Sequence, residues 1–376
     1  MKTALVIGGT GPTGPAIVEG LLSRQYEVSV LHSGLHEVEF TADVEHIHVD
    51  PNFDEPLQSA LEDRTFDVSI GMYGRTRIVA NVLKGKVDRF IAVGGVFYEG
   101  WVDPRHLSLS NEETVLGVPA YGAGPWSVSE EHPLDPNSKF ATRAIEAEQT
   151  VRTLHSEGSY RATFLRFPKL YGPRQLAPVE WSILRRALDQ RPRLLVPDGG
   201  LLLETRLYSL NAARLIMAAI DHPEEASGQT FNCGDDETLT IRRWIEIIAN
   251  AAGHSFDLVS VPHALAGPTL VYSLTPWLLN HRVLDVSKAK TLLGYEAIPA
   301  RDALVETVRW YMDNPVGGEE EIGAQLGDPF DYEVEDRLLA LADHFANTVI
   351  SEGLDVARRY YHPYRHPAAL DDKKGN

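Results

Sequence analysis

The 376-residue chain predicts an α/β protein with a doubly wound parallel sheet. Three observations carry that expectation. Short apolar runs alternate with segments of helical period through the first half. The first run ends in a glycine-rich turn that opens a helix. Helical patterns dominate the second half, and the charge pattern changes near Asn314. Together they predict a Rossmann-type parallel sheet, a smaller C-terminal substrate lobe and an extra helical tail.

Thr3–Ile7 reads as a buried strand, and Ala16–Arg24 as a helix with Ile17, Leu21 and Leu22 on one face. Strands follow at Glu27–Leu31, His46–Val49, Phe66–Ile70 and Arg89–Val93. Helices separate them, one through Leu57 and Leu61 and one over Ile78–Leu83. Such alternation implies βαβ units with right-handed crossovers. Tyr98–Lys139 is rich in Gly, Pro, Ser and Asn and reads as a long irregular loop, usually functional or mobile. A helix over Lys139–Ser156 and a strand over Tyr160–Phe167 come next. Further helices are expected at Trp181–Asp189, Leu210–Asp221, Ile241–Ala252, Val286–Leu293 and Arg301–Asp313. Gly317–Glu321 reads as a linker, Glu333–Ile350 as an amphipathic helix and Asp371–Asn376 as a frayed end. The expected division is a dinucleotide-binding core over 1–175 with added core segments from the second half, a mainly substrate-binding lobe over 176–313, and a helical extension over 314–376.

Composition narrows the function. Net charge is −18, which argues against a nucleic-acid partner. The short basic stretches near Arg185–Arg193 and Arg358–Arg365 read as solvated faces. Cys233 is the only cysteine, so neither an intramolecular disulfide nor a multi-cysteine zinc site can form. No run reaches the ~18 apolar residues of a membrane span, and no leader pattern is visible. A cytoplasmic protein with no membrane partner is expected.

The strongest motif is Gly8-Gly9-Thr10-Gly11-Pro12-Thr13-Gly14 between the first strand and first helix. Gly8 suits a tight turn, Gly11 a close approach of backbone to pyrophosphate, and Gly14 close helix–sheet packing. The helix N-terminus adds N–H groups and positive potential. The bound group is therefore NAD or NADP. The second strand ends Leu31-His32-Ser33-Gly34, without the acid that NAD-preferring folds often place there. His32 and Ser33 can hydrogen-bond a 2′-phosphate, which slightly favours NADP. Asp50, ending the third strand, is placed either for the adenine amine or as a helix cap.

The Gly8-x-x-Gly11-x-x-Gly14 spacing resembles the extended short-chain dehydrogenase/reductases, which include nucleotide-sugar epimerases and dehydratases. The resemblance continues in Glu131–Ser138, Ile145–Gln149, Leu165–Gln175, Phe231–Gly234 and Arg282–Tyr295. It covers about residues 1–313. It implies that Gly71, Met72 and Tyr73 after the fourth strand, and Gly94 after the fifth, line the cofactor. It also implies a homodimer paired through the Lys139–Ser156 helix.

The resemblance fails at the catalytic residues. The family's Tyr-x-x-x-Lys pair falls on Phe140 and Ala144, which cannot carry protons. The Ser/Thr after the fifth strand is also absent. Lys169 stands where the family carries a substrate-facing asparagine, and is expected to bind an anion or act as a base. Tyr98 is the other candidate, as a displaced proton donor or a packed aromatic. Arg143 is one helical step from the lost lysine and faces elsewhere. Glu204 occupies a position where an arginine for a diphosphate is expected. With Leu201–Leu203 beside it, this points to a small organic substrate in an apolar pocket.

Two further patterns remain. His46-x-His48-x-Asp50 puts three ligand types on one side of a strand. Helices are expected to bury that face, so no metal site is expected. His362 and His366 lie in an aromatic, basic tail segment read as packed chain. The functional expectation is an NAD(P)-dependent oxidoreductase, or an isomerase using transient oxidation, with a non-standard proton donor. The alternatives are a non-redox lyase or aldol-type enzyme, a non-catalytic NAD(P) sensor, and a nucleotide-sugar epimerase or dehydratase.

Overall fold

The structure is a computed structural model that describes residues 2–35, 37–72, 74–99, 101, 127–136, 138–263, 266, 281–317 and 319–354. Tyr73, His362, His366, the 371–376 end and most of the 98–139 loop lie outside the described residues.

The first half alternates as its pattern predicts: β1 (Lys2–Ile7), α1 (Gly14–Ser23), β2 (Tyr26–His32), β3 (Glu45–His48), α2 (Asp54–Ala60), β4 (Phe66–Gly71), α3 (Thr76–Val82), β5 (Val87–Gly94), α4 (Lys139–Ser156) and β6 (Arg161–Arg166). These strands and β11 (Thr230–Asn232) form a parallel sheet in the order β11-β6-β5-β4-β1-β2-β3. Strand order reverses between β1 and β4, where a crevice opens at the carboxyl ends.

The two-residue period of β1 splits its side chains between two cores. Ala4 and Val6 join α1 and α6 (Ser209–Asp221), with Ile17, Leu21, Leu215 and Ile216. Leu5 and Ile7 join α2, α3 and α4, with Leu57, Val79, Val151 and Leu154. Both faces are therefore dry, which is why β1 reads as an unbroken apolar run. Helix α4 starts where Ser138 accepts the Ala141 N–H through its side chain at 3.0 Å.

The second lobe contains α5 (Val179–Leu188), β8 (Arg193–Pro197), α8 (Ile241–Ala251), β13 (Asp257–Val261) and α10 (Ala300–Asp313). Trp181, Leu184, Trp244, Ile248, Leu304 and Val308 fill its core, and β8 pairs with β13. Short strands complete it: β7 (Lys169–Tyr171) pairs parallel with β10 (Arg206–Tyr208), and β9 (Leu203–Glu204) antiparallel with β12 (Leu239–Thr240). Two or three residues carry no readable period, so these strands were invisible in the sequence. The remaining helices are α7 (Pro223–Ala226) and α9 (Ser287–Leu293).

Two expectations change here. Gly317–Glu321 is not all linker, because α11 (Glu319–Leu326) begins inside it. Acidic residues suit the positive end of a helix. Leu201–Leu203 do not form one apolar wall: Leu201 is exposed, while Leu202 enters the second-lobe core.

The chain divides into compact units after Asp331. The 314–376 extension therefore has two parts. One, with α11 and Asp328, belongs to the larger unit; the other carries α12 (Tyr332–Ser351), near the predicted 333–350. No described helix is long and apolar enough to cross a membrane.

Arg186 and Asp328 form a fully buried ion pair, with Nη1 and Nη2 donating to the carboxylate at 2.7 and 3.0 Å. The guanidinium also lies 5.2 Å from the Phe330 ring centre. Breaking such a pair leaves an uncompensated buried charge. Asp328→Ala is expected to cost about 3–5 kcal/mol in chemical denaturation; a loss under 1 kcal/mol would show that the pair is not buried in solution.

Candidate active site

The β1–α1 turn is built for close approach. Gly8 has φ +91°, in the left-handed region. A Cβ on Gly14 would stand 1.9 Å from the Gly9 carbonyl oxygen, and one on Gly9 would meet Val30 at 2.7 Å. The nearest atom to a Cβ on Gly11 is 3.6 Å away, so that position faces space. Thr13, at the N-cap, makes no side-chain cap bond. Its hydroxyl donates instead to Met72 Sδ at 3.3 Å, tying the turn to the end of β4. Gly14 N–H donates to the Gly11 carbonyl at 3.0 Å and Pro15 has no N–H, so what α1 offers an anion is its positive end and the bare backbone at Gly11, a cradle that fits the pyrophosphate of a dinucleotide.

Beside the turn lies a cleft of 490 Å³. It brings together Gly8, Thr10, Gly11, Pro12, Thr13, His32, Ser33 and Met72, eight of the residues that the sequence assigns to the cofactor. Gly14 packs beneath it. Gly71 and Gly94 do not line it: their missing side chains make room for Phe90 and Phe164. Asp50 does not line it either. Its carboxylate accepts the Asn52 backbone and side-chain N–H groups at 2.9 and 2.8 Å, closing the turn before α2.

The cleft also has walls that sequence reasoning missed. Phe167, Leu170 and Arg174 come from the Arg…Tyr-Gly-Pro-Arg block, and Glu37 from the chain after β2. Within that block the resemblance singles out only Lys169, and Glu37 lies in an irregular segment beyond Gly34, where no period says which way a side chain faces.

Tyr98 does not line the cleft and is 1% exposed. Its hydroxyl accepts from Arg166 Nη1 at 2.6 Å and donates to Asn232 Oδ1 at 2.5 Å. Arg166 in turn grips buried Glu148 with two bonds of 2.9 and 2.7 Å. Burial raises the phenol pKa against the pull of Arg166. The expected proton donor is therefore a structural hydroxyl joining β5, β6, α4 and β11.

Lys169 lies on β7 in register with Arg206 of β10. It is half-buried beside Glu180, Glu204 and Arg206. Burial pushes its pKa down to about 8; the Arg206 charge adds to the fall, and Glu180 and Glu204 oppose it. Burial also raises the Glu180 carboxyl pKa. Glu204 is paired with Arg206 at 3.0 Å, so the acid at this position is compensated. Asp235 fixes the strand that presents Lys169, accepting from Tyr171 Oη at 2.6 Å, Asn211 Nδ2 at 2.7 Å and Tyr208 N at 3.0 Å.

The positions of the family's lost pair lie elsewhere. Phe140, Arg143 and Ala144 line a hollow against α3. Phe140 is 73% exposed, with its ring edge-on to Phe97.

The burial expected for the His46/His48 face is also corrected. β3 is the edge strand, and the His48 side chain is 56% exposed. His32 lies next to it, and burial holds its pKa below the usual imidazole range.

Two outcomes test this site. Gly14→Ala is expected to abolish dinucleotide binding in a fluorescence titration, because the turn must open to clear the clash. Tyr98→Phe is expected to cost about 1–3 kcal/mol of stability by leaving buried partners unsatisfied, with turnover changed only a few-fold. A stable Tyr98→Phe protein without activity would restore the phenol as a catalytic group.

With this geometry in hand, the likeness to known proteins is informative. Residues 117–234 match the NAD dependent epimerase/dehydratase family. The chain is 24% identical over 194 residues to an uncharacterized UDP-glucose epimerase of Bacillus subtilis, covering 50% of this chain and 57% of that protein. It is 24% identical over 211 residues to a dTDP-glucose 4,6-dehydratase of Streptomyces niveus, covering 56% and 58% respectively. The chain thus spans less than two thirds of the length of either relative. Among solved structures, a UDP-glucose 4-epimerase of Thermotoga maritima with UDP-glucose superposes with TM-score 0.65 at 19% identity, over 83% of this chain and 99% of that one. A dTDP-glucose 4,6-dehydratase of Streptomyces venezuelae with NAD bound gives 0.61 at 20%, over 83% and 97%. Residues 117–234 thus resemble the NAD dependent epimerase/dehydratase family, and the chain shares the fold of these solved structures.

Proposed function

We infer that this protein is an NAD-dependent enzyme acting at an alcohol or carbonyl carbon of a small organic substrate, with Lys169 as its proton-transfer group. One observation carries this reading: burial pushes the Lys169 pKa down to about 8 on β7, where its neighbour Leu170 lines the cleft and Lys169 itself turns toward Glu180, Glu204 and Arg206. A lysine so tuned is half-neutral at about pH 8 and about one-fifth neutral near pH 7.4, where an ordinary lysine is almost wholly charged. Its neutral amine takes a proton from a substrate hydroxyl, and its ammonium returns one to a carbonyl oxygen. Arg206 holds the pKa down, and the Asp235 hydrogen bonds hold the strand in place.

The cofactor, when bound, supplies hydride acceptance and return. The β1–α1 turn holds its pyrophosphate. Glu37 in the cleft supports NAD over NADP, because a carboxylate accepts from a ribose diol and repels a 2′-phosphate. Phe167, Leu170 and Met72 shield the reacting end from water. In the same reading the chain is a cytoplasmic homodimer paired through α4.

A sugar-nucleotide substrate is the second reading, favoured by the two relatives and by Arg174, an exposed arginine at the cleft. Incubation with NAD and either UDP-glucose or a panel of small alcohols and ketones separates the two. Reduced-nicotinamide absorbance and product analysis are the readouts. Conversion of neither class, with NAD bound, would remove the enzymatic reading.

Lys169→Met gives a sharper test. Its turnover is expected to fall by about 10²–10⁴-fold. A lysine whose folded pKa is depressed binds fewer protons folded than unfolded between about pH 8 and pH 10.5. Wild-type stability therefore rises with pH across that window, and a cost of about 2–3 kcal/mol stands below it. Removing the charge is expected to raise the melting temperature at neutral pH while removing activity. In the oxidation direction, wild-type kcat/KM should rise through about pH 8, where the amine loses its proton. Full activity in Lys169→Met would overturn the assignment.

A further inference from the structure

We propose that His32, Glu37, His46 and His48 bind one divalent transition-metal ion of the zinc class at the open edge of the sheet. The four side chains come from β2, the chain after it, and β3. One ligand atom of each lies within 4.8 Å of all the others. His32 Nε2 and His46 Nδ1 are 2.9 Å apart. Glu37 Oε2 is 3.5 Å from His46 Nδ1 and 3.9 Å from His32 Nε2, and Glu37 Oε1 is 3.1 Å from His48 Nε2. Zinc with ligands at about 2.0–2.1 Å in a tetrahedron sets ligand atoms about 3.3 Å apart. The separations given run from 2.9 to 3.9 Å and none in the set exceeds 4.8 Å, so the widest pair has to close by about 1.5 Å at most for an ion to sit at the centre.

The chemistry also suits such an ion. Imidazoles with a carboxylate select zinc and its first-row neighbours over calcium or magnesium, which prefer all-oxygen shells. Edge strand β3 supplies access: the His48 and Glu37 side chains are 56% and 58% exposed, while His32 is buried at 3%. The site thus has a fixed inner ligand and outer ligands that an ion can reach from water.

Binding reorganises one contact. His32 Nδ1 accepts the Gly34 N–H at 3.2 Å. Ligation through Nε2 moves the imidazole proton to Nδ1, which then cannot accept that bond. Glu37, His46 and His48 therefore seize the ion first, and His32 joins as the Gly34 contact opens. His32 and Glu37 also line the dinucleotide cleft, so ion occupancy changes the cleft wall. The site needs neither Lys169 nor catalysis, but it shares His32 and Glu37 with the proposed cofactor cleft, so the ion competes with the ribose diol for Glu37.

The test uses the untagged full-length chain, stripped with a chelator. Zn²⁺ is titrated by calorimetry, and Co²⁺ by its visible ligand-field absorption. One ion per chain is expected, with the intense cobalt bands of a tetrahedral site. His46→Ala/His48→Ala, with unchanged circular dichroism, is expected to bind at least about 100-fold more weakly, and Glu37→Gln about 10-fold. Should the double variant fail to fold, Glu37→Gln alone decides. No stoichiometric Zn²⁺ uptake by the wild type, or equal affinity in the folded variants, would overturn the proposal.

Discussion

The contact between α1 and the turn before it sets the geometry of the nucleotide end of the molecule. Gly14 sits where any side chain would collide with the Gly9 carbonyl, and Gly9 sits where a side chain would strike Val30 of β2. Helix and loop can touch only because both positions are bare. That closeness aims the N-terminus of α1 over the carboxyl end of β1. It also lets Thr13 reach Met72 at the end of β4. The switch point of the sheet and the positive end of the helix then coincide, which no single residue accomplishes alone.

Away from this turn, buried charge organises the fold. Among the described residues three arginines are deeply buried, and each faces a carboxylate: Arg166 with Glu148, Arg186 with Asp328, Arg206 with Glu204. The Arg166 pair locks α4 to β6 and recruits Tyr98 and Asn232. The Arg206 pair stands beside Lys169, whose pKa is depressed first by burial and then by the Arg206 charge, against Glu180 and Glu204. Desolvated pairs of this kind contribute little net stability, yet they are costly to break. They therefore specify where elements sit more than how strongly they hold.

Legibility in the sequence followed the range of the physics. Helix α4 was readable to its end residues because Ser138 supplies a local cap and the helical period is unbroken. The turn was readable because its backbone permits little besides glycine. Glu37 was not, since an irregular segment has no period to say where a side chain lands. The environment of Lys169 was equally hidden, because Glu180, Glu204 and Arg206 arrive from other elements. Tyr98 was misjudged for the same reason: position in a motif says nothing of the Arg166 guanidinium that holds its hydroxyl. The His46/His48 face was misjudged because strand order was unknown, and only an interior strand has both faces covered.

The span of the Arg186–Asp328 pair has a consequence for biosynthesis. The two residues are 142 positions apart, and Asp328 lies close to the end of its unit. On the ribosome, the sheet through β6 can assemble from chain already made, while α5 must wait for its carboxylate. Until then a desolvating guanidinium disfavours closure of the second lobe. A message truncated before codon 328 would therefore yield a formed β1–α1 turn on a protein whose second lobe stays open, and quality-control proteases would meet it as a half-finished molecule.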